Sequence, residues 1–267
     1  MSTTLSACIE GIGVLGPGFP DWPAAARVLG GDAPWEAAAT VLPPPACLPS
    51  AERRRTGNVV RLTLAVGLEA ARSAGIDPAK VPAVFASSGG DGQNCHEICE
   101  TLASAARELS PTRFHNSVHN APAGYWGIAT GCTAAANSLC AYDASFGAGL
   151  IEALCQVAIE RTRVLLIAYD TSYPEPMRSV RPIPDAFGVA LSLAPGASEA
   201  AHAQLELAWS EDAADLMADP ALERLRSSIP AARSLPLLTQ LAHARPGRVV
   251  IDYLDDRRIA LEVSPCH

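Results

Sequence analysis

Charged residues, aromatic residues and lysine are all scarce in this sequence. Of the 267 residues 18% are charged and 5% are aromatic, and Lys80 is the only lysine. The formal net charge is −8, whereas surfaces that bind nucleic acid carry an excess of positive charge. Nucleic acid is therefore not expected as a partner. Hydrophobic residues make up 49% of the chain, which is enough to bury a sizeable core.

Long apolar segments are also missing. No uninterrupted run of 18 or more apolar residues occurs, so we expect no membrane-spanning helix. The first ten residues lack a basic stretch followed by an apolar one, and we therefore expect a cytoplasmic protein.

Metal-binding patterns are weak. The eight cysteines contain no Cys-x-x-Cys pair, so a structural zinc site is not expected. His115 and His119 are four residues apart, but they fall in a segment between two prolines that is predicted to be a loop. We expect neither a metal nor a cofactor.

Short apolar segments alternate with amphipathic ones, which predicts a single α/β domain over residues 1–267. The predicted strands cover 7–14, 81–87, 164–169, 189–193 and 204–209. The predicted helices cover 59–74, 95–109, 147–159 and 212–226, the last with a possible break at Pro220. The segments 248–253 and 259–263 are predicted to form a terminal hairpin.

Gly11, Gly13 and Gly16 match the dinucleotide-binding pattern G-x-G-x-x-G after the first predicted strand. That function needs a helix to start at the glycine turn, so that its N-terminus can hold a pyrophosphate. Prolines at 17, 20 and 23 oppose a helix there. A nicotinamide-dependent oxidoreductase is one alternative function, and saturable NAD(P)H binding would support it.

The segment 110–150, with Asn120-Ala121-Pro122-Ala123-Gly124 at its centre, resembles the N-terminal half of β-ketoacyl synthases. Residues 9–14 and 84–90 resemble the first two strands of that family and their glycine turns. Residues 163–170 and 182–193 resemble the strands that follow. The resemblance covers residues 5–195 and leaves 196–267 as a divergent C-terminal part. It implies a thiolase-like α/β fold, with a mixed sheet and packed helices.

Active members of the family hold a cysteine at a strand-to-helix turn, where the helix N-terminus lowers its pKa. The resemblance places Asp143 at that position, followed by Ala144-Ser145-Phe146. An aspartate cannot replace a thiolate as an acyl carrier, but the helix N-terminus could stabilise it as an anion or as an N-cap. A register shift of three residues would put Cys140 at the turn, and Cys132 lies earlier still. Both cysteines are also interpretable as small buried hydrophobic residues.

Active synthases also take two catalytic histidines from a C-terminal half. His202, His243 and His267 lie in no matching motif. The chain therefore resembles a chain length factor, a non-catalytic subunit that pairs with an active ketosynthase, of the short aryl polyene type. An isolated half of the fold would expose a sheet and helix layer, which predicts a protein partner.

The resemblance implies a heterodimer with a β-ketoacyl synthase that acts on acyl carrier protein thioesters. This chain would shape the tunnel for the growing polyene. The helix after Asp143 and the loop 113–126 would line the shared interface. The predicted tunnel and interface residues are Asn120, Gly124, Tyr125, Trp126, Asp143, Ser145 and Phe146. The alternative is an active condensing enzyme or acyltransferase that uses Cys140 or Cys132.

Overall fold

The computed structural model describes residues 5–196 and 198–266. The strands are β1 (Leu5–Leu15), β2 (Ala83–Ala86), β3 (Ala136–Leu139), β4 (Val164–Asp170), β5 (Phe187–Ala194), β6 (Ala203–Ser210), β7 (Gly247–Leu254) and β8 (Arg257–Pro265). The helices are α1 (Trp22–Leu29), α2 (Ser50–Arg53), α3 (Asn58–Ser73), α4 (Gly92–Ala103), α5 (Pro111–His115), α6 (Ala121–Thr130), α7 (Ser145–Glu160), α8 (Met177–Val180), α9 (Pro220–Ser228) and α10 (Leu235–Ala242). Short 3₁₀ turns occupy Pro78–Lys80, Tyr142–Ala144 and Pro230–Ser234.

The eight strands form one mixed sheet in the order β3-β2-β4-β5-β1-β6-β8-β7. β2 runs parallel to both β3 and β4, and the remaining pairs are antiparallel. β4 and β5 are buried along their whole lengths, as expected for strands that are covered on both faces. The predicted mixed sheet with packed helices is confirmed.

Helices cover both faces of the sheet. α3 and α6 pack on one face in a core that includes Leu62, Val66 and Trp126. α7 packs on the other face, where Phe146 and Leu150 join a second core. The predicted helix 59–74 therefore corresponds to α3, and the predicted helix 147–159 lies within α7.

The glycines of the dinucleotide-like pattern serve helix packing. Gly11 and Gly13 lie inside β1, and a Cβ at either position would overlap the carbonyl oxygen of Ala70 or of Val66 in α3. The first helix after β1 starts only at Trp22, capped by Asp21. The glycines thus let α3 approach the strand closely, and this geometry argues against the oxidoreductase alternative.

The C-terminal part completes the core of the chain. β6 pairs with β1, and β8 and β7 extend the same sheet. Together with the turn 230–234 and α10, these strands contribute Leu235, Leu238, Val249 and Ile259 to the core around α7. The expectation of an open helix layer is therefore wrong for α7, because residues beyond 195 cover it.

Two predicted helices differ from the structure. The predicted helix 212–226 begins only at Pro220, because Asp219 caps it by accepting from the Ala221 and Leu222 amides and proline is tolerated only in a first turn. Residues 211–219 instead form a connection in which the Asp215 amide and carboxylate bond to Val250. The predicted helix 95–109 runs from Gly92 to Ala103. The terminal hairpin is confirmed.

Candidate functional site

The turn between β3 and α7 carries Asp143, the residue that the resemblance places at the nucleophile position of active synthases. β3 ends at Leu139, the 3₁₀ turn 142–144 follows, and α7 begins at Ser145. The Ser145 hydroxyl donates to the Tyr142 carbonyl at 2.7 Å and accepts from the Ala141 amide at 3.0 Å. Tyr142 has a left-handed backbone, with φ of 53°. Ser145 thus holds the turn together from inside, since only 2% of it is exposed.

Asp143 lies between two arginines. Its carboxylate accepts from Arg181 Nη2 at 2.7 Å and from Arg233 Nη2 at 3.2 Å. The Arg181 guanidinium also stacks on the Tyr142 ring, 3.7 Å from its centroid. Burial opposes the charge of Arg181, but the hydrogen bond to Asp143 and the nearby Asp143 and tyrosine charges together outweigh burial and raise the pKa of this guanidinium. The Asp143 side chain is therefore fixed in position by two guanidinium groups.

The expectation that Asp143 could cap the following helix is wrong. The N-cap residue of α7 is Ala144, and no side chain caps this helix. The 3₁₀ turn places Asp143 one residue too early, and its carboxylate bonds to the arginines instead. A carboxylate paired in this way is a poor nucleophile, and an acyl group on it would cost both ion pairs.

The two alternative cysteines lie in different surroundings. Cys140 follows β3 directly, is exposed, and its Sγ donates to the Ser88 carbonyl at 3.1 Å. Cys132 follows α6, where its Sγ lies 3.7 Å from the Val81 carbonyl. The interpretation of Cys140 as a small buried hydrophobic residue is therefore wrong, because Cys140 is exposed. Cys132 is half-buried. Of the two cysteines, only Cys140 lies in the connection between β3 and α7.

The buried carboxylate of Asp170 stabilises the segments next to the β3–α7 turn through hydrogen bonds. Asp170, at the end of β4, accepts from the Ser88 amide at 3.0 Å, the Ser88 hydroxyl at 2.6 Å and the Ala231 amide at 2.9 Å. Burial raises the pKa of Asp170 to about 6 although these hydrogen bonds oppose the shift. Ser88 thus links Asp170 to Cys140, and Ala231 links Asp170 to the segment that carries Arg233.

Histidines do not complete this site in the described part of the chain. His119 Nε2 lies 3.1 Å from the Leu139 carbonyl, next to Cys140, but bonds to no residue of the turn itself. His202 precedes β6 and His243 follows α10, and neither hydrogen-bonds to Cys140 or Asp143. His267 lies outside the described residues. A cleft of about 670 Å³ opens beside Asp143 and is lined by Tyr142, Arg233 and Tyr253.

The structure divides the predicted interface residues into two groups. Asn120, which precedes α6, and Gly124, which lies in α6, are both exposed. Asp143 is half-buried. Tyr125, Trp126, Ser145 and Phe146 are each 1–2% exposed and pack inside this chain. Other elements of this chain cover these four, while the assignment of all seven residues to a tunnel or a shared interface stays a prediction.

Sequence reasoning alone does not identify four residues of this site, which are Arg181, Arg233, Ser88 and Asp170. Arg181 and Arg233 are 38 and 90 residues from Asp143, and no spacing rule connects them. The only available signal was Asp170, an acid at the end of an otherwise apolar predicted strand.

Comparison with known families decides the identity of the fold. The family model of the β-ketoacyl synthase N-terminal domain matches residues 26–246. The chain belongs to this family. The match reaches well beyond residue 195, so most of the C-terminal part that lacked a recognisable motif lies within the synthase family model.

Solved structures share the thiolase-like fold of this synthase homologue. A chain of the ketosynthase ApeO in complex with its chain length factor ApeC from Xenorhabdus doucetiae is 22% identical, with a TM-score of 0.73 over 97% of this chain and 99% of that one. A chain of AntDE:AntF, a type II PKS acyl-carrier protein in complex with its ketosynthase, gives 10% identity and 0.76 over 98% and 100%. A β-ketoacyl synthase from Burkholderia phymatum STM815 gives 11% and 0.68 over 99% and 100%.

Two further findings concern relatives and membranes. No curated protein matches this sequence. Within the described residues, none of the helices is both long and apolar enough to cross a bilayer.

Proposed function

We propose that this chain is a non-catalytic chain length factor that pairs with an active β-ketoacyl synthase. The observation that carries the proposal is the position before α7, where Asp143 is fixed between Arg181 and Arg233. The cysteine nucleophile of an active ketosynthase reacts as a thiolate, whereas the position that the resemblance assigns to it carries a paired carboxylate here. The similarity of the fold to chains of ketosynthase and chain length factor complexes supports the same assignment.

The surface around α6 and β3 supports a protein partner. β3 is an edge strand with only β2 beside it in the described sheet, and free edges readily pair with another chain. Phe114, Val118 and Ile128 are exposed by 67%, 53% and 49% and line one cleft of about 510 Å³. Gly124 lies between this cleft and β3. Edge strand and apolar side chains together form the surface that the ketosynthase would cover.

We further propose that the pair of this chain and its ketosynthase takes part in aryl polyene synthesis. In this proposal the partner condenses acyl carrier protein thioesters, and the present chain completes the heterodimer and shapes the tunnel for the growing polyene. The carrier protein contacts the chain only through the complex. A location in the cytoplasm, where the acyl carrier protein and its thioesters are made, is part of the same proposal.

The test is an intact mass spectrum of the co-expressed pair after treatment with an acyl carrier protein thioester. We expect the two chains to co-purify and only the ketosynthase to gain the acyl mass. Acylation of the present chain would overturn the non-catalytic assignment. Failure to co-purify with any β-ketoacyl synthase of the same genome would overturn the partnership.

The second candidate function is that of an active condensing enzyme or acyltransferase, and the exposure of Cys140 directly before α7 favours it. The same mass spectrum distinguishes the two functions. An acyl mass on this chain that is lost in Cys140→Ser and kept in Cys132→Ser would identify Cys140 as the nucleophile.

A further inference from the structure

A wide cleft lies away from the β3–α7 turn. It has a volume of about 990 Å³ and runs between α3, the end of β1 and the proline-rich strap 36–47. α3 covers the face of the sheet opposite α7, so this cleft is separate from the Asp143 site. Its walls are mainly apolar, with Leu64, Ala65 and Leu68 on one side and Pro43–Pro45 on the other. Both its size and its apolar walls suit a small-molecule site.

The strap that forms the outer wall is fixed at several points. The Gly18 amide donates to the Ala38 carbonyl at 2.9 Å, and the Trp35 indole donates to the Pro17 carbonyl at 3.1 Å. Further along, the Thr40 amide donates to the Asp185 carboxylate at 3.1 Å and its hydroxyl to the Ala186 carbonyl at 2.7 Å. The cleft is therefore preformed, which reduces the entropic cost of binding a ligand.

One end of the cleft carries an unpaired cation. Arg61 lines the cleft from the first turn of α3, and its Nε is buried without a hydrogen-bond partner in the described residues. No carboxylate of the described chain lies within ion-pair distance of Arg61, whereas Arg163, Arg181 and Arg226 are each paired. Protein atoms cover this Nε, so a ligand would instead pair with the outer nitrogens of the guanidinium, which form no ion pair in the described residues; an anionic ligand would supply that pair.

Two of the three acidic residues that line the cleft, Glu69 and Asp21, lie towards its other end, and a second arginine, Arg72, also lines the cleft. The Glu69 carboxylate accepts from the Val14 amide at 3.0 Å and the Trp22 amide at 2.6 Å, and Asp21 accepts from the Ala24 amide. Glu69 is eight residues beyond Arg61, about 12 Å along the helix axis. A ligand with an anionic head at Arg61 and an apolar body along Leu64 and Leu68 would therefore keep its head away from these carboxylates.

We propose that this cleft binds a free carboxylic acid with a medium-length apolar chain, its carboxylate on Arg61 and its chain along Leu64, Ala65 and Leu68. Arginine recognises carboxylates through paired, charge-assisted hydrogen bonds. Val41, which lines the cleft and is 80% exposed, would be covered by the chain of the acid. This site goes beyond the proposed partnership and does not depend on it.

The test uses radiolabelled decanoate and equilibrium dialysis with the full chain. We expect saturable binding at one site, an affinity about tenfold or more weaker in Arg61→Met, and no binding in Leu68→Trp, which fills the cleft. Arg224→Met is the matched control, because Arg224 is an exposed helical arginine without an ion pair in the described residues. It should bind decanoate as the natural chain does.

Decan-1-ol separates charge recognition from unspecific apolar binding. The alcohol has the same chain without the anion, so we expect it to compete with decanoate at least about tenfold less well. Equal competition by the alcohol, unchanged decanoate affinity in Arg61→Met, or the absence of saturable binding would each overturn the proposal. Circular dichroism of every variant confirms that it is folded.

Discussion

Single residues decide what the β3–α7 turn can do. Asp143 keeps the charge that an active thiolate would carry but turns it into a fixed ion pair with Arg181 and Arg233. Cys140 keeps the thiol but donates it to the Ser88 carbonyl. A catalytic thiolate combines a negative charge and a sulfur atom on one residue. In this turn the carboxylate of Asp143 and the sulfur of Cys140 are on different residues, and this separation supports the proposal of a non-catalytic chain.

Replacement of Asp143 tests its structural role. Asp143→Ala leaves two half-buried guanidinium groups without their acceptor, so we expect the free energy of unfolding to fall by about 1–3 kcal/mol. Asp256→Ala is the control, since Asp256 is exposed and has no ion pair in the described residues. Urea denaturation measures both variants. An equal stability of Asp143→Ala and the natural chain would show that the ion pairs contribute nothing.

Asp170 predicts a pH dependence of stability. Its pKa in the folded chain is about 6, against about 3.9 in an unfolded chain, so the folded state binds the proton more tightly. The stabilisation from this proton is fully present below about pH 4 and is lost as the pH rises to about 6. Carboxyl ¹³C NMR should show Asp170 titrating near pH 6. A midpoint near pH 4 would contradict the predicted effect of burial.

At the scale of elements, Gly13 and Gly124 differ in the space around them, so they are suited to a pair of alanine substitutions with opposite expected effects. A Cβ at Gly13 would overlap the backbone of α3, whereas a Cβ at Gly124 in α6 would meet no atom within 4 Å. We expect Gly13→Ala to lower the free energy of unfolding by about 1–3 kcal/mol, because the helix has to move. We expect Gly124→Ala to raise it by about 0.5–1 kcal/mol, because alanine favours the helix. Thermal and urea unfolding of both variants measure these changes.

The sequence predicted those elements whose signals are local. β4, β5, α3 and the terminal hairpin follow from apolar periodicity within each segment. The predicted helix 212–226 starts too early, because Asp219 caps a helix that begins at Pro220 and accepts from the Ala221 and Leu222 amides, which outweighs a helical apolar spacing. The site depends on long-range contacts, so Asp143 was found by resemblance while its partners Arg181 and Arg233 were not.

Long-range contacts also decide the exposure of the predicted interface residues, which the sequence does not predict. Tyr125 and Trp126 follow the Asn120–Gly124 segment directly, and the sequence gives no sign that α3 covers them. The helical period turns both side chains inward and leaves Gly124 and Ile128 exposed. A resemblance transfers positions along the chain, whereas exposure depends on which element packs above them.

At the scale of the whole molecule, helices cover both faces of the sheet, and β3 lies at one edge of the described sheet. The C-terminal strands cover α7, whereas Phe114, Val118 and Ile128 on and between α5 and α6 are exposed near the edge strand β3. Interfaces of stable dimers are large and apolar at their centre. The exposed side chains of Phe114, Val118 and Ile128 are the described residues that best fit such a centre.

Charge substitutions on this surface test the heterodimer. We expect Phe114→Asp and Ile128→Asp to weaken association with the ketosynthase at least about tenfold, because each buries an unpaired carboxylate in an apolar interface. Ile159→Asp is the matched control, since Ile159 is 77% exposed at the end of α7, outside the α5–α6–β3 surface. Co-purification and size-exclusion chromatography of the co-expressed pair measure association. Retained pairing in both variants, or its loss in Ile159→Asp alone, would place the interface on a different face of the molecule.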